Sequence, residues 1–193
     1  MKETQIDWRK TVEAILEKAN RPFVPISKSF IQLPRGSEKR SSVLSKFVTN
    51  GDLRGLKAYL LIAASASSPD TDNEWYTSLP LQTWARAFGC SETAGSVATA
   101  KTAATRIFSR LQERQLIEKS RCGRERKIKV KLLAQDGSGE EYQRPASRYI
   151  RLSHDFWKRR LDEDISLPAL AMLLVVLGER TPCELPTEHM PEW

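Results

Sequence analysis

Between Ser96 and Leu133 the hydrophobic period switches from that of a helix to that of a strand. Val97, Ala100, Ala104, Ile107, Phe108 and Leu111 recur at three and four residues, the spacing that lines up one face of a helix. Past Arg114, Ile128, Val130 and Leu132 alternate with Lys127, Lys129 and Lys131, the period of two of a strand with one buried side. This pattern predicts a helix over Ser96–Arg114, a strand over Leu116–Arg121, a turn at Gly123 and a second strand over Lys127–Leu133. A chain built this way must place an amphipathic helix and a β-hairpin on a shared core.

Upstream, Asp52 is placed to cap a helix that runs to about Ala66 and buries Leu53, Leu56, Tyr59, Leu60 and Ala63. Glu74–Leu79 reads as a short strand. Pro80 suits the first turn of a helix over Pro80–Phe88, which Gly89 ends in a left-handed conformation. The expected fold class is mainly α with a small antiparallel β-sheet, an α+β arrangement centred on residues 51–135.

The same region concentrates charge. Lys101–Lys131 carries eleven Lys/Arg and three Glu, a formal +8, whereas the whole chain of 193 residues carries +7. The remainder is therefore close to neutral, and the basic stretch predicts a polyanionic partner bound through counterion release. On the helix, Thr99, Thr102, Arg106 and Ser109 fall opposite the apolar face, with Lys101 and Arg110 at its borders. Arg106 is the candidate for reading a base edge, because a guanidinium can bond both guanine acceptors together. Thr99 and Thr102 can hydrogen-bond or meet a thymine methyl, Ser96 at the start of the helix is a further DNA-binding candidate, and Lys101 and Arg110 are placed for phosphates. Arg121, Arg124, Arg126 and Lys127 form a basic hairpin tip suited to the backbone or the neighbouring minor groove.

Two segments carry a resemblance: Thr83-Trp84-Ala85-Arg86-Ala87-Phe88-Gly89-Cys90-Ser91 and Thr105-Arg106-Ile107-Phe108-Ser109-Arg110-Leu111-Gln112-Glu113-Arg114-Gln115-Leu116-Ile117. Over about Asp52–Leu133 the chain resembles the winged helix-turn-helix family. The resemblance implies non-catalytic binding of double-stranded DNA, by a transcription regulator or by a plasmid replication or maintenance factor, and pairing into a homodimer. An adaptor that binds an acidic protein partner is the alternative of a different kind. One departure stands out, since Gly89 to Thr105 is about ten residues longer than the tight turn of simple family members.

Flanking segments are read as accessories. Residues 1–50 form an amphipathic helix over Gln5–Asn20, an extended strap over Phe23–Leu33 and a polar stretch over Arg35–Ser42. The helix and strap are the expected dimerisation elements. Residues 136–193 contribute a strand over Arg148–Leu152, a short helix over Ser153–Leu161 and an apolar helix over Leu167–Leu177 capped by Ser166. This segment either packs back on the core or starts a second winged-helix unit, as in the tandem units of plasmid replication initiators and some repressors.

Other chemistry is disfavoured. No run of 18 apolar residues exists to span a membrane, and the start of the chain lacks the apolar stretch of a signal peptide. A cytoplasmic protein with reduced thiols is expected, because Cys90, Cys122 and Cys183 are odd in number and far apart. No metal or other cofactor is expected. His154 beside Asp155 has no nucleophile elbow to serve, and Gly137-Ser138-Gly139 lacks the Lys and helix of a phosphate loop. Trp84 and Trp157 are expected in the core. No enzymatic constellation emerges.

Overall fold

A computed structural model describes residues 7–33, 41–66, 68–70, 74–123 and 127–179. The protein is a mixed α+β fold, mainly helical, with one two-stranded and one three-stranded antiparallel sheet. Both sheets and the helices around them share a continuous apolar core.

Helix α1 (Trp8–Glu17) starts at Asp7, whose carboxylate accepts the Arg9 N–H, and buries Val12, Ile15 and Leu16. It stops short of the expected Asn20. The segment expected to be an extended strap is instead strand β1 (Phe23–Ser27) followed by a single helical turn, α2 (Lys28–Ile31). The Ser27 hydroxyl accepts the Ser29 N–H and so turns the chain into that helix. Helix α3 (Val43–Thr49), capped by Ser42, buries Val43, Leu44 and Phe47 and was not expected. Seven residues give too little periodicity to distinguish it from loop.

The central unit follows the predicted order. Asp52 caps α4 (Leu53–Ser65), in which Leu56, Tyr59, Leu60 and Ile62 are fully buried. Strand β2 (Tyr76–Leu79) leads to α5 (Leu81–Ala87), and Gly89 takes a φ of +64° after it. A short helix, α6 (Cys90–Thr93), occupies much of the long connection. Ser96 then caps α7 (Val97–Glu113) by accepting the Thr99 N–H. Strands β3 (Ile117–Cys122) and β4 (Lys127–Leu132) complete a sheet of order β2-β4-β3, with Ile128, Val130 and Leu132 facing inward. Trp84, Phe88 and Phe108 make a mutual aromatic cluster between α5 and α7.

Strand β5 (Tyr149–Ser153) pairs with β1, Ile26 opposite Ile150. The helix expected over Ser153–Leu161 is two shorter ones, α8 (Asp155–Lys158) and α9 (Leu161–Asp164), broken where Arg160 adopts a φ of +61°. Helix α10 (Leu167–Gly178), capped by Ser166, packs on β5, α2 and α3. It buries Leu170 and Leu174 and leaves Met172, Val175, Val176 and Leu177 exposed. The described segments 7–33 and 149–179 are therefore joined to each other and to the centre. Arg9 makes a bidentate pair with Glu163, at 2.6 and 3.0 Å. The apolar side chains Val12, Ile15 and Leu16 of α1 and Val24, Ile26 and Phe30 of the expected strap pack inside one copy of the chain.

One buried amide holds the small sheet to the centre. On the edge of β1 away from β5, the Gln135 side chain accepts the Ser27 N–H and donates to the Pro25 carbonyl at 3.2 Å. Pro25 has no N–H to offer on that edge, which is where a strand tolerates proline. Gln135→Ala removes both bonds and leaves the two backbone groups without partners. The expected loss is about 1–3 kcal/mol of unfolding free energy, the cost of an orphaned buried polar group, measured by urea denaturation.

Candidate nucleic-acid interface

Helix α7 buries Ala100, Ala104, Ile107, Phe108 and Leu111. The opposite side is centred on Thr102, with Ala98, Thr105, Arg106 and Ser109 around it at helical spacing. Ser96, Thr99, Lys101, Thr102 and Arg106, all predicted from sequence, come together along the N-terminal half of this helix. All but the half-buried Lys101 are exposed. Among the described residues, no carboxylate pairs with Arg106. Arg121 is exposed near the end of β3, and Lys127 is half-buried at the start of β4. Arg124 and Arg126 lie outside the described residues.

Arg110 has a different job from the phosphate contact expected of it. Its Nε and Nη2 each donate to Asp52 at 3.0 Å, and Arg114 Nη1 approaches the same carboxylate at 2.9 Å. Asp52 Oδ1 also accepts the Gly55 N–H at 2.9 Å, so one side chain caps α4 and anchors the C-terminal half of α7. Side-chain exposure falls from 39% for Arg110 to 11% for Arg114 and 8% for Asp52, so this is a partly buried cluster rather than a surface pair. The Arg114 guanidinium also lies 4.4 Å from the Phe47 ring centroid. Burial pushes the Asp52 carboxyl up. The bonds from Arg110 and Gly55 and the charges of Arg110 and Arg114 outweigh that effect and hold it below the usual carboxylate range.

A second carboxylate neutralises the base of the hairpin. Glu74 accepts from Lys129 Nζ at 2.7 Å and from Lys131 Nζ at 2.8 Å, and these bonds push it down to about 2. Four of the cations counted in the basic stretch thus belong to ion pairs with Asp52 and Glu74. Both carboxylates lie outside that stretch in sequence. What faces solvent is a narrower set, in which Lys101, Arg106 and Arg121 are the described members predicted from sequence.

Thr105 was not among the predicted site residues, although its i+3 spacing from Thr102 puts it on the same exposed face. Lys119, whose Nζ lies 5.9 Å from the Phe108 ring centroid, was also missed. Trp84 and Trp157 are buried, as expected of core aromatics. His154 is buried at the start of α8, its Nε2 without a hydrogen-bond partner, and burial together with Lys158 pushes it down. Among the described residues, no group of three His, Cys, Asp or Glu is arranged to hold a metal ion. No helix among them is long and apolar enough to cross a membrane.

Asp52→Asn keeps a capping oxygen for α4 but removes the charge that Arg110 and Arg114 share. The expected cost at pH 7 is about 2–3 kcal/mol, because hydrogen bonds to charged groups are each worth about 1.5–3. Since the folded-state value lies below the unfolded one of about 3.9, this stability is present above pH 4 and is lost as pH falls. The gap between the two proteins should therefore close at lower pH, read from urea midpoints between pH 7 and pH 3.

Comparison with known protein families, curated proteins and solved structures finds no match to this chain.

Proposed function

We propose that this chain is a winged helix-turn-helix protein that binds double-stranded DNA without catalysis, as a transcription regulator. In this reading α7 enters the major groove and the β3–β4 hairpin lies along the flanking backbone. The observation that carries it is the state of α7. Its C-terminal half is anchored through Arg110 and Arg114, while its N-terminal half presents Ser96, Thr99, Thr102 and Arg106 to solvent. An exposed helix face of that kind fits the width of the major groove.

The order α4-β2-α5-α7-β3-β4 and the sheet order β2-β4-β3 support the same reading. The long connection between Gly89 and Thr105 is the departure from it, and α6 with an early start of α7 absorbs the extra residues. Pairing of two copies across a two-fold site belongs to the proposal.

Arg106→Ala is expected to relax preference at one base position and cost about 1–3 kcal/mol there. The wild-type affinity for duplex DNA should fall steeply with salt, each neutralised phosphate adding about −0.9 to the log–log slope. Selection from a random duplex pool followed by titration at two or more salt concentrations measures both. A flat salt response, or binding confined to acidic proteins, sinks the reading.

A specific observation favours the replication-factor alternative, in which two such units stand in tandem. Ser166, Leu167, Leu170 and Leu174 repeat the spacing of Asp52, Leu53, Leu56 and Leu60. The positions exposed on α10, Met172, Val175, Val176 and Leu177, correspond to Ala58, Leu61, Ile62 and Ala63, which α4 buries. On this reading α10 is the first helix of a second unit whose other elements cover that face. Val176→Lys in the full chain then costs about 2 kcal/mol or more. A change within about 0.5 kcal/mol, as for an open surface, removes the argument; thermal or urea unfolding decides.

A further inference from the structure

We infer that α7 reads thymine methyl groups through Thr102 and Thr105, with Arg106 beside them for a guanine. This inference rests on the DNA-binding reading above and specifies the duplex that the same surface selects.

The basis is where the hydroxyl hydrogens go. Thr102 Oγ1 donates to the Ala98 carbonyl at 3.1 Å and Thr105 Oγ1 to the Lys101 carbonyl at 2.9 Å. Ser109 Oγ likewise donates to the Thr105 carbonyl at 3.1 Å. A hydroxyl has one hydrogen, so none of the three has a donor left for a base. Guanine presents two acceptors in the major groove and needs donors opposite it. Thymine presents a methyl beside its single acceptor. A threonine whose hydrogen is committed to its own helix offers a γ-methyl and oxygen lone pairs, which suits a thymine methyl and does not suit guanine.

Placement agrees with that chemistry. Thr102 and Thr105 are exposed, sit at the centre of the face opposite the core and have the exposed methyl of Ala98 one turn before Thr102. Exposed methyls contribute little to a core, and threonine is a poor helix former compared with alanine. Arg106 lies at the side of this group, exposed and with no carboxylate pairing with it among the described residues. The combination reads as a thymine-containing element next to a guanine.

The experiment uses the full chain and its preferred duplex from the random-pool selection. That duplex is remade with deoxyuridine replacing thymidine one position at a time, which deletes the methyl and keeps the O4 acceptor. Affinity at fixed salt is expected to fall about two- to fourfold at each contacted position, the worth of burying one methyl-sized group. Thr102→Ser keeps the hydroxyl and removes the methyl, so it should abolish the thymidine-over-deoxyuridine preference at one position. Thr102→Val keeps methyls and should retain it, and Arg106→Ala should leave it unchanged while relaxing the guanine. Equal binding of thymidine and deoxyuridine duplexes, with a steep salt slope preserved, overturns this inference and leaves DNA binding standing. A thymidine preference that survives both Thr102→Ser and Thr105→Ser also overturns it. A chain that binds no duplex at low salt takes down the DNA-binding reading and this inference with it.

Discussion

The carboxylate of Asp52 organises the centre of this protein. It closes the first turn of α4 and takes two arginines from the last turns of α7, so two helices far apart in sequence share one buried anion. The geometry also accounts for a glycine in the first turn of α4. A Cβ at Gly55 would run into the Asp52 carboxylate, so the helix accepts the entropic cost of glycine, about 0.5–1 kcal/mol relative to alanine. Because Asp52 is largely buried, its charge is tolerable only while the guanidinium groups stay in place. The cluster therefore fixes the axis of α7 relative to α4 more tightly than apolar packing alone would.

Much of this centre was legible in the sequence because its signals are local. Periodicity located α4, α5, α7 and β4, and the caps at Asp52, Ser96 and Ser166 sit where hydroxyl or carboxylate side chains precede apolar runs. Gly89 was readable from its place behind α5. What could not be read was pairing across distance. Nothing near Arg110 in sequence indicates that its partner lies 58 residues away, and Lys129 and Lys131 find Glu74 at separations of 55 and 57. Counting charge along the chain treated all these cations as free, and the structure reassigns four of them to internal pairs. The pairing of β1 with β5 was hidden for the same reason, and α3 because it is too short to show a period.

The flanking segments show how a local reading can locate an apolar surface without revealing what covers it inside the fold. An amphipathic helix and an apolar segment at the N-terminal end suggested a surface for a second copy. In the fold, the β1–β5 sheet, the Gln135 amide and the Arg9–Glu163 pair turn that surface inward. Among the described residues, α10 carries four of the exposed large hydrophobic side chains, Met172, Val175, Val176 and Leu177. A helix apolar on all sides but covered on one is unusual for a protein surface. In α4, which shares its spacing, the corresponding positions Ala58, Leu61, Ile62 and Ala63 are buried.

The division of labour along α7 bears on what the proposed binding role would require of it. Association loses less free energy when the binding element is already rigid, because less side-chain and backbone freedom remains to be lost. Here the Asp52 cluster holds the C-terminal half, the aromatic group of Trp84, Phe88 and Phe108 holds the buried face, and Ser96 with α6 fixes the N-terminal start. The threonines add to this, because hydroxyls bonded to the preceding turn restrict their rotamers. The exposed half of α7 is thus pre-ordered in its backbone and at Thr102 and Thr105, while Lys101 and Arg106 keep their side-chain freedom. On the proposed reading, the guanidinium of Arg106 would search for its partner while the fixed methyls beside it would only test shape.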